Sequence, residues 1–140
     1  MEKLIEAIFE RLRGEVPELR FIDIDLGQLQ LENPPVDWPC ALVDVASVDY
    51  QGGNMQSAET VLNVTLGFLV YGPSNASAAP ELRQLAMQHY AILRQVAEAL
   101  HGFRPEGFAP LNRVSLVRGN ETYPRHFTLS FRTQHTERFR

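Results

Sequence analysis

The histidines are the residues of this chain best suited to acid–base chemistry or metal binding. There are four, at His89, His101, His126 and His135, and they are widely separated. None has a carboxylate or a second histidine at a spacing that would build a catalytic pair or a metal site. His89 falls on the apolar face of a predicted helix, so a hydrogen-bonded position at the edge of the core is favoured over a ligand or a general base.

Three other features could carry chemistry. Asp23 and Asp25 could share a cation, but without a third ligand in view a solvated strand face is favoured. Cys40 is the only cysteine, which excludes an internal disulfide and favours a small buried strand residue over a nucleophile. Gly52-Gly53 lacks the lysine and the following helix of a phosphate loop. We therefore predict no catalytic, cofactor or metal site, and expect that the protein is not an enzyme.

Length and composition favour one domain over residues 1–140. The chain is 44% hydrophobic, which is enough for a sizeable core. Its apolar stretches are far shorter than the roughly 20 residues that cross a bilayer, and the N-terminus lacks the apolar region of a signal peptide. We therefore expect no membrane contact, and a location in a reducing cytoplasm or in a particle assembled there.

The charge is divided unevenly along the chain. Residues 1–103 carry 6 basic and 14 acidic side chains, whereas residues 104–140 carry 7 basic and 3 acidic ones. The net charges are therefore −8 and +4. The arginines of the last quarter are spread through strand-like sequence, with few aromatic residues that could stack bases. This favours contact with acidic protein surface, in the same or another copy, over nucleic-acid binding.

The first half of the chain reads as a helix followed by strands. Apolar residues at helical spacing predict a helix over residues 3–13. Period-two alternation predicts a strand over residues 21–26, with Ile22, Ile24 and Leu26 on its apolar face. After a proline-rich connection, a second strand is predicted over residues 41–48. The polar, glycine-containing segment 49–59 is predicted to be an extended, mobile hairpin loop.

The second half reads as a strand, a long helix and two further strands. Residues 60–71 predict a central strand, and residues 77–101 predict a helix capped by Ser77. Residues 114–117 and 126–134 predict two strands around a turn at 118–122. The predicted fold class is α+β: an antiparallel β-sheet of about four to five strands, flanked by one long and one short α-helix. The following residues are predicted to face the sheet from the long helix: Leu82, Leu85, Ala86, His89, Leu93, Val96, Ala97 and Leu100.

This order of elements resembles the tail terminator family of tailed bacteriophages and prophages, also called tail completion or minor tail protein U-like proteins. The resemblance covers nearly the whole chain. It is carried by the helix Leu4–Leu12, the proline-led segment Pro35–Val45, the polar loop before the strand Thr60–Tyr71, the helix Ser77–His101 and the closing strands. In this family several copies, commonly six, close into a ring that caps the tail tube and presents a docking face for the neck or head.

The resemblance implies a virion structural protein of the tail, assembled in the host cytoplasm, without catalysis or cofactor. It implies three kinds of partner: other copies of itself in a ring, expected to be a hexamer; the tail tube protein; and neck or head-completion proteins. DNA would only pass through the lumen of the ring. If segment 49–59 and the outward faces of the sheet line that lumen, net negative charge would keep the DNA from sticking. The following residues are candidates for the oligomer or partner interface: Arg118, Arg125, Arg132, Arg138, Met55 and Gln56.

Two alternatives stay open at this point. One is a head–tail connector, or another neck or baseplate subunit. The other is a small α+β ligand-binding module or enzyme, with a pocket between the long helix and the sheet. The candidate residues of that pocket are His89, Asp44 and Tyr90. A closed oligomer favours the ring, whereas a stable monomer with a deep apolar pocket favours the module.

Overall fold

A computed structural model describes residues 1–69, 80–120 and 124–139 of the chain. These ranges contain two α-helices, one short 3-10 helix at Gln28–Gln30 and five strands. The helices are α1 (Glu2–Glu15) and α2 (Pro80–Leu100), and the strands are β1 (Phe21–Ile24), β2 (Cys40–Gly52), β3 (Met55–Phe68), β4 (Asn112–Arg118) and β5 (Arg125–Arg138).

The strands form one sheet in the order β1-β2-β3-β5-β4. The predicted α+β class with one long and one short helix is confirmed, and the predicted central strand is β3. The sheet is mixed, however, because β1 pairs parallel to β2 while the other pairings are antiparallel. Two parallel strands need a connection long enough to bring the chain back to the end of the sheet where the first strand began. Residues 25–39 are long enough to make this connection between β1 and β2.

One face of the sheet, which we call the helix face, packs against α1 and α2. Alternate residues of β3 and β5 point to it, as predicted for Phe127, Leu129 and Phe131, and all three are buried. The same apolar core includes Leu4, Ile8 and Leu12 of α1, Leu62, Val64, Leu66 and Phe68 of β3, and Leu93, Val96 and Leu100 of α2. Burial of these side chains is the main stabilisation of the fold.

The opposite face, which we call the open face, is partly covered by residues 25–39. Gly67 of β3 lies under this segment. A Cβ atom at Gly67 would stand 2.8 Å from the Cys40 Sγ, 3.0 Å from the Trp38 ring and 3.2 Å from Leu29. Glycine therefore allows the close approach of the covering segment to the centre of the sheet. Cys40 is buried, as predicted.

The prediction of an extended loop over 49–59 is wrong. Strand β2 continues to Gly52 and β3 starts at Met55, so only two residues separate the strands. Tyr50 is paired with Ala58 in this region, and β5 adds a third strand, with Arg138 opposite Met55. We call residues 48–60 and 133–138 the three-strand extension, because β1 and β4 do not reach them. The two added ladders of backbone hydrogen bonds explain why this polar segment is ordered.

Two other predicted strands differ from the structure. The first strand ends at Ile24, so Leu26 lies beyond it. Ile24 and Leu26, which were assigned to an apolar face, are 40% and 80% exposed, because they lie at the sheet edge. The strand predicted over 60–71 begins at Met55 and ends at Phe68, and residues 70–71 lie outside the described residues.

The remaining elements are close to their predicted bounds. Helix α1 is slightly longer than 3–13, and β4 and β5 are longer than 114–117 and 126–134. The described part of the long helix ends at Leu100, and the predicted cap Ser77 lies outside the described residues. Strand β4 includes Arg118, while part of the turn predicted at 118–122 is also outside.

Candidate interaction surfaces

The structure separates the three residues proposed for a ligand pocket. His89 lies on α2 and is buried, with 4% of its surface exposed. Asp44 is exposed on β2, opposite Asn63 on the open face of the sheet. Tyr90 is 47% exposed, and its hydroxyl accepts a hydrogen bond from Arg125. These side chains do not line a common pocket.

His89 occupies an apolar environment. Its ring stacks on Phe68, with the ring centroids 4.1 Å apart. Burial, together with the positive charge of Arg125, lowers the pKa of His89 to about 4. The imidazole is therefore neutral at pH 7 and acts as a packing residue, as the sequence indicated. The prediction of a hydrogen-bonded histidine is not met at Nδ1, which has no partner among the described residues.

Cys40 is an unreactive thiol. Burial raises the pKa of the Cys40 thiol to about 11, so the thiolate that acts as a nucleophile is scarce at pH 7. Within the described residues, no group of three or more histidine, cysteine, aspartate or glutamate side chains could hold a metal ion.

A cavity lined by described residues lies on the open face. Its volume is about 610 Å³, and its lining includes Asp25, Glu32, Thr65, His126 and Thr128. The hydroxyl oxygens of Thr65 and Thr128 are 3.1 Å apart at its floor. The lining mixes polar groups with apolar ones such as Leu29 and Leu31, and the cavity lies on the opposite face of the sheet from His89. It therefore differs from the deep apolar pocket that the binding-module alternative requires.

The six predicted interface residues do not form one surface. Arg125 and Arg138 lie at opposite ends of β5, a separation of about 43 Å for an extended strand of this length. Arg118 ends the neighbouring strand β4, opposite Phe127 near the start of β5. Met55 and Gln56 are at the other end, opposite Arg138 and Glu137. Their role as an interface stays a prediction.

Two of these arginines have partners within the chain. Arg125 lies 5.4 Å from the Tyr90 ring centroid and 5.2 Å from that of Phe127, so its guanidinium makes cation–π contacts with both. Arg132 forms an ion pair with Glu59 on the adjacent strand, with the Arg132 Nε 2.8 Å from the carboxylate. Both partners of this ion pair remain about half exposed, so they can also contact another molecule.

A more coherent surface lies along β4, the last strand of the sheet. All seven of its residues are exposed. Three are apolar: Val114 is 45% exposed, Leu116 51% and Val117 60%. Leu116 is opposite Leu129 on the helix face, and Val117 is opposite Thr128 on the open face. An edge strand with apolar groups on both faces is a template for pairing with another chain. We call residues 112–118 the basic edge, because Arg113 and Arg118 flank the apolar residues.

The other end of the sheet carries a similar apolar surface of opposite charge. Ile24 and Leu26 are exposed there, and Leu31 is 56% exposed. Asp23 and Glu32 are exposed beside them, and the described residues offer neither an ion-pair partner. We call residues 21–26 together with Leu31 and Glu32 the acidic edge.

Sequence reasoning missed both edges. Apolar residues alternate with other residues at Val114 and Leu116, and again at Ile24 and Leu26. Such alternation predicts that the apolar residues face a buried core, so it does not predict that they lie exposed at an edge. The sequence contains one indication of two oppositely charged surfaces, which is the difference in net charge between residues 1–103 and residues 104–140.

No protein-family model matches this chain, and no curated protein sequence matches it. Among the described residues, neither helix is long and apolar enough to cross a membrane. The fold is similar to that of a solved chain from the virion of a native gene transfer agent (GTA) particle, with a TM-score of 0.52 and 16% sequence identity. The likeness covers 96% of this chain and 95% of the other, so it spans the whole order of elements described above.

Proposed function

We propose that this protein is a structural subunit of a phage-like virion, where several copies, expected to be six, close into a ring at the head-proximal end of the tail. The ring stops growth of the tail tube and joins the tail to the neck or head. The protein acts through its surfaces, without a cofactor, and is assembled in the cytoplasm of the host bacterium.

The observation that carries this proposal is the fold likeness to a chain of a gene transfer agent virion over almost the full length of both chains. The order of elements also resembles the tail terminator family. The exposed apolar residues at the two ends of the sheet suit a repeating head-to-tail contact, because such a contact closes into a ring and covers them.

The oligomeric state of the purified protein tests the proposal. We expect native mass spectrometry to give a single closed oligomer, and negative-stain images to show rings with a central opening. Each contact should bury on the order of 1,000–2,000 Å² in total. A protein that stays monomeric at high concentration and binds a small molecule between the long helix and the sheet would favour the binding-module alternative instead.

The connector alternative predicts a different particle defect. A connector or neck subunit joins heads to finished tails, so its loss leaves tails of normal length. Loss of a terminator changes the length of the tails as well. Tail length in particles lacking the protein therefore separates the two roles.

A further inference from the structure

We infer that the outer side of β4 binds an extended segment of another virion protein, which carries apolar and acidic side chains and adds to the five-stranded sheet as a further strand. The inference rests on the proposed virion role and names a partner surface for it. Three observations carry it: the free backbone groups of β4, its exposed apolar side chains and the positive charge beside them.

The first observation is the direction of the backbone groups of β4. The Gly119 N–H donates to the His126 carbonyl, so the even-numbered residues of β5 direct their backbone groups toward β4. In an antiparallel pair every second residue bonds to the neighbouring strand, and the residues between them point away from it. Leu116 and Arg118 are opposite odd-numbered residues of β5, so their N–H and C=O groups point outward.

These four outward groups have no hydrogen-bond partner within the described part of the chain. The Arg113 N–H, in contrast, donates to the His101 Nδ1 atom at 3.1 Å. The free stretch of the edge therefore runs from Val114 to Arg118. A row of unpaired groups at a sheet edge binds an extended segment through main-chain hydrogen bonds. In an antiparallel addition, the residue opposite Leu116 exchanges two hydrogen bonds with it.

The second observation is that this stretch exposes an apolar side chain on each face of the sheet. Leu116 is 51% exposed on the helix face, and Val117 is 60% exposed on the open face. Directly opposite residues of neighbouring strands have their side chains on the same face and in contact. The added segment therefore needs apolar residues at these two positions, and their burial against Leu116 and Val117 favours binding.

The third observation is the positive charge on the helix face of this edge. Arg113 and Arg118 both point to that face, on either side of Leu116. Within the described ranges neither has an ion-pair partner. Glu98 shares a small groove with Arg113, but Glu98 is paired with Arg94 at 4.0 Å. An acidic residue two positions before and two positions after the one facing Leu116 would place a carboxylate near each free arginine.

The strands at the two ends of the sheet do not suit each other, so the occupant is not a second copy. Antiparallel pairing of two β4 strands would bring Arg118 of one copy close to Arg113 of the other, and like charges oppose this. On β1, the Ile24 N–H donates to the Asp23 carboxylate and the Ile24 carbonyl accepts from the Gln28 side-chain amide. In the proposed ring, the added segment would lie between β4 and the next copy.

A designed peptide tests the binding of such a segment. The probe is the heptapeptide Thr-Glu-Val-Ile-Thr-Glu-Thr with both ends blocked, whose isoleucine faces Leu116 and whose glutamates face the arginines. The control peptide has lysine in place of both glutamates. We expect the acidic peptide to bind with a dissociation constant at least about tenfold lower than that of the control. In an NMR titration, the amide signals of Leu116 and Arg118 should shift.

Methylation of single peptide nitrogens separates strand addition from attraction between charges. In the antiparallel arrangement the N–H of the peptide isoleucine donates to the Leu116 carbonyl, whereas the N–H of the peptide valine points away from the sheet. We expect N-methylation at the isoleucine to weaken binding about tenfold and N-methylation at the valine to leave it nearly unchanged. Equal effects at the two positions would overturn the inference.

Charge reversal on the protein gives a matched pair of variants. Arg113→Glu with Arg118→Glu should reverse the preference, so that the lysine peptide binds more tightly than the acidic one. Lys3→Glu with Arg13→Glu makes the same change in net charge at exposed positions of α1 and should keep the preference for the acidic peptide. Circular dichroism and the unfolding midpoint check that each variant is folded. An unchanged preference in the first variant would contradict the charge argument.

Photo-cross-linking in assembled particles identifies the occupant. A p-benzoylphenylalanine residue in place of Leu116 should cross-link to a segment of a different virion protein that contains apolar and acidic residues. Cross-links only to other copies of this chain would overturn the inference, while the proposed ring would stand.

The remaining outcomes separate the inference from the proposed function. Rings that bind neither peptide at millimolar concentration overturn the inference and leave the ring intact. Slow hydrogen exchange of the Leu116 amide in the purified protein without peptide would show that a second copy already covers the edge, which also overturns it. Binding with the expected preferences supports strand addition, even if the protein proves to be a connector.

Discussion

At the residue scale, His89 gives the fold a specific dependence on pH. The pKa of the imidazole is lowered from its ordinary 6.5 to about 4 by burial. The unfolded chain therefore takes up a proton more readily than the folded one. The stability that neutral His89 permits is fully present above about pH 6.5 and is lost as the pH falls through about 4.

We expect the loss between pH 6.5 and pH 4 to amount to about 2–3 kcal/mol in the free energy of unfolding. The control is His89→Phe, which keeps an aromatic ring against Phe68 and removes the titrating group. Urea unfolding at pH 7 and pH 4.5 measures the difference. Equal losses in both proteins would show that His89 is not the source.

Gly67 gives a second prediction at this scale. Gly67→Ala introduces a Cβ atom that meets the Cys40 Sγ at 2.8 Å and the Trp38 ring at 3.0 Å. We expect this overpacking to lower the free energy of unfolding by about 1–3 kcal/mol. The matched control is Gly53→Ala in the β2–β3 turn, where nothing lies within 4 Å of the added atom. A Gly67→Ala protein as stable as this control would mean that the covering segment has room to move.

At the scale of elements, the prediction for the core follows from the packing of α2 on β3. Leu93 is 5% exposed and Val64 is fully buried, and both belong to the helix-face core. Leu93→Asp or Val64→Asp buries an unpaired charge, which costs several kcal/mol and should unfold the protein. Met87→Asp on the same helix is the control, because Met87 is 63% exposed. Cooperative thermal unfolding of the Leu93→Asp protein near the normal temperature would contradict the core assignment.

The arginines of β5 give a prediction about assembly. Arg132→Glu removes the exposed ion pair with Glu59, and Arg138→Glu changes an exposed strand end. Exposed pairs contribute at most about 1 kcal/mol, so the double variant should remain folded. We expect it to weaken incorporation into tails more than it lowers the unfolding midpoint. A large drop in the midpoint with normal incorporation would show that these arginines serve folding instead.

The elements show what local patterns can predict and where they fail. The alternation of Leu62, Val64, Leu66 and Phe68 identified β3 and its buried face, because period two is a local property. The polar composition of segment 49–59 predicts a loop, whereas the segment forms the ends of β2 and β3 and the turn between them. Its order comes from pairing with β5, which is about 80 residues away in the chain. The parallel direction of β1 is equally non-local.

At the scale of the whole molecule, the composition predicted a basic contact surface but not where on the molecule that surface lies. The excess of arginine after residue 103 indicated a contact between opposite charges. The strand order then separates Arg118 from Arg138 and brings Asp23 and Arg118 to opposite edges of one sheet. Which residues lie at an edge depends on the order of strands, and the sequence does not encode that order locally.

The most direct test of the proposed role is the length of tails in particles that lack this protein. The gene is deleted in the phage or prophage that carries it, and the particles are imaged by electron microscopy, with the unaltered gene supplied in trans as the control. The ring model predicts unjoined heads and tails, with tails of uncontrolled length, and restoration of both features by the supplied gene. Normal-length tails joined to heads in the deletion strain would contradict it.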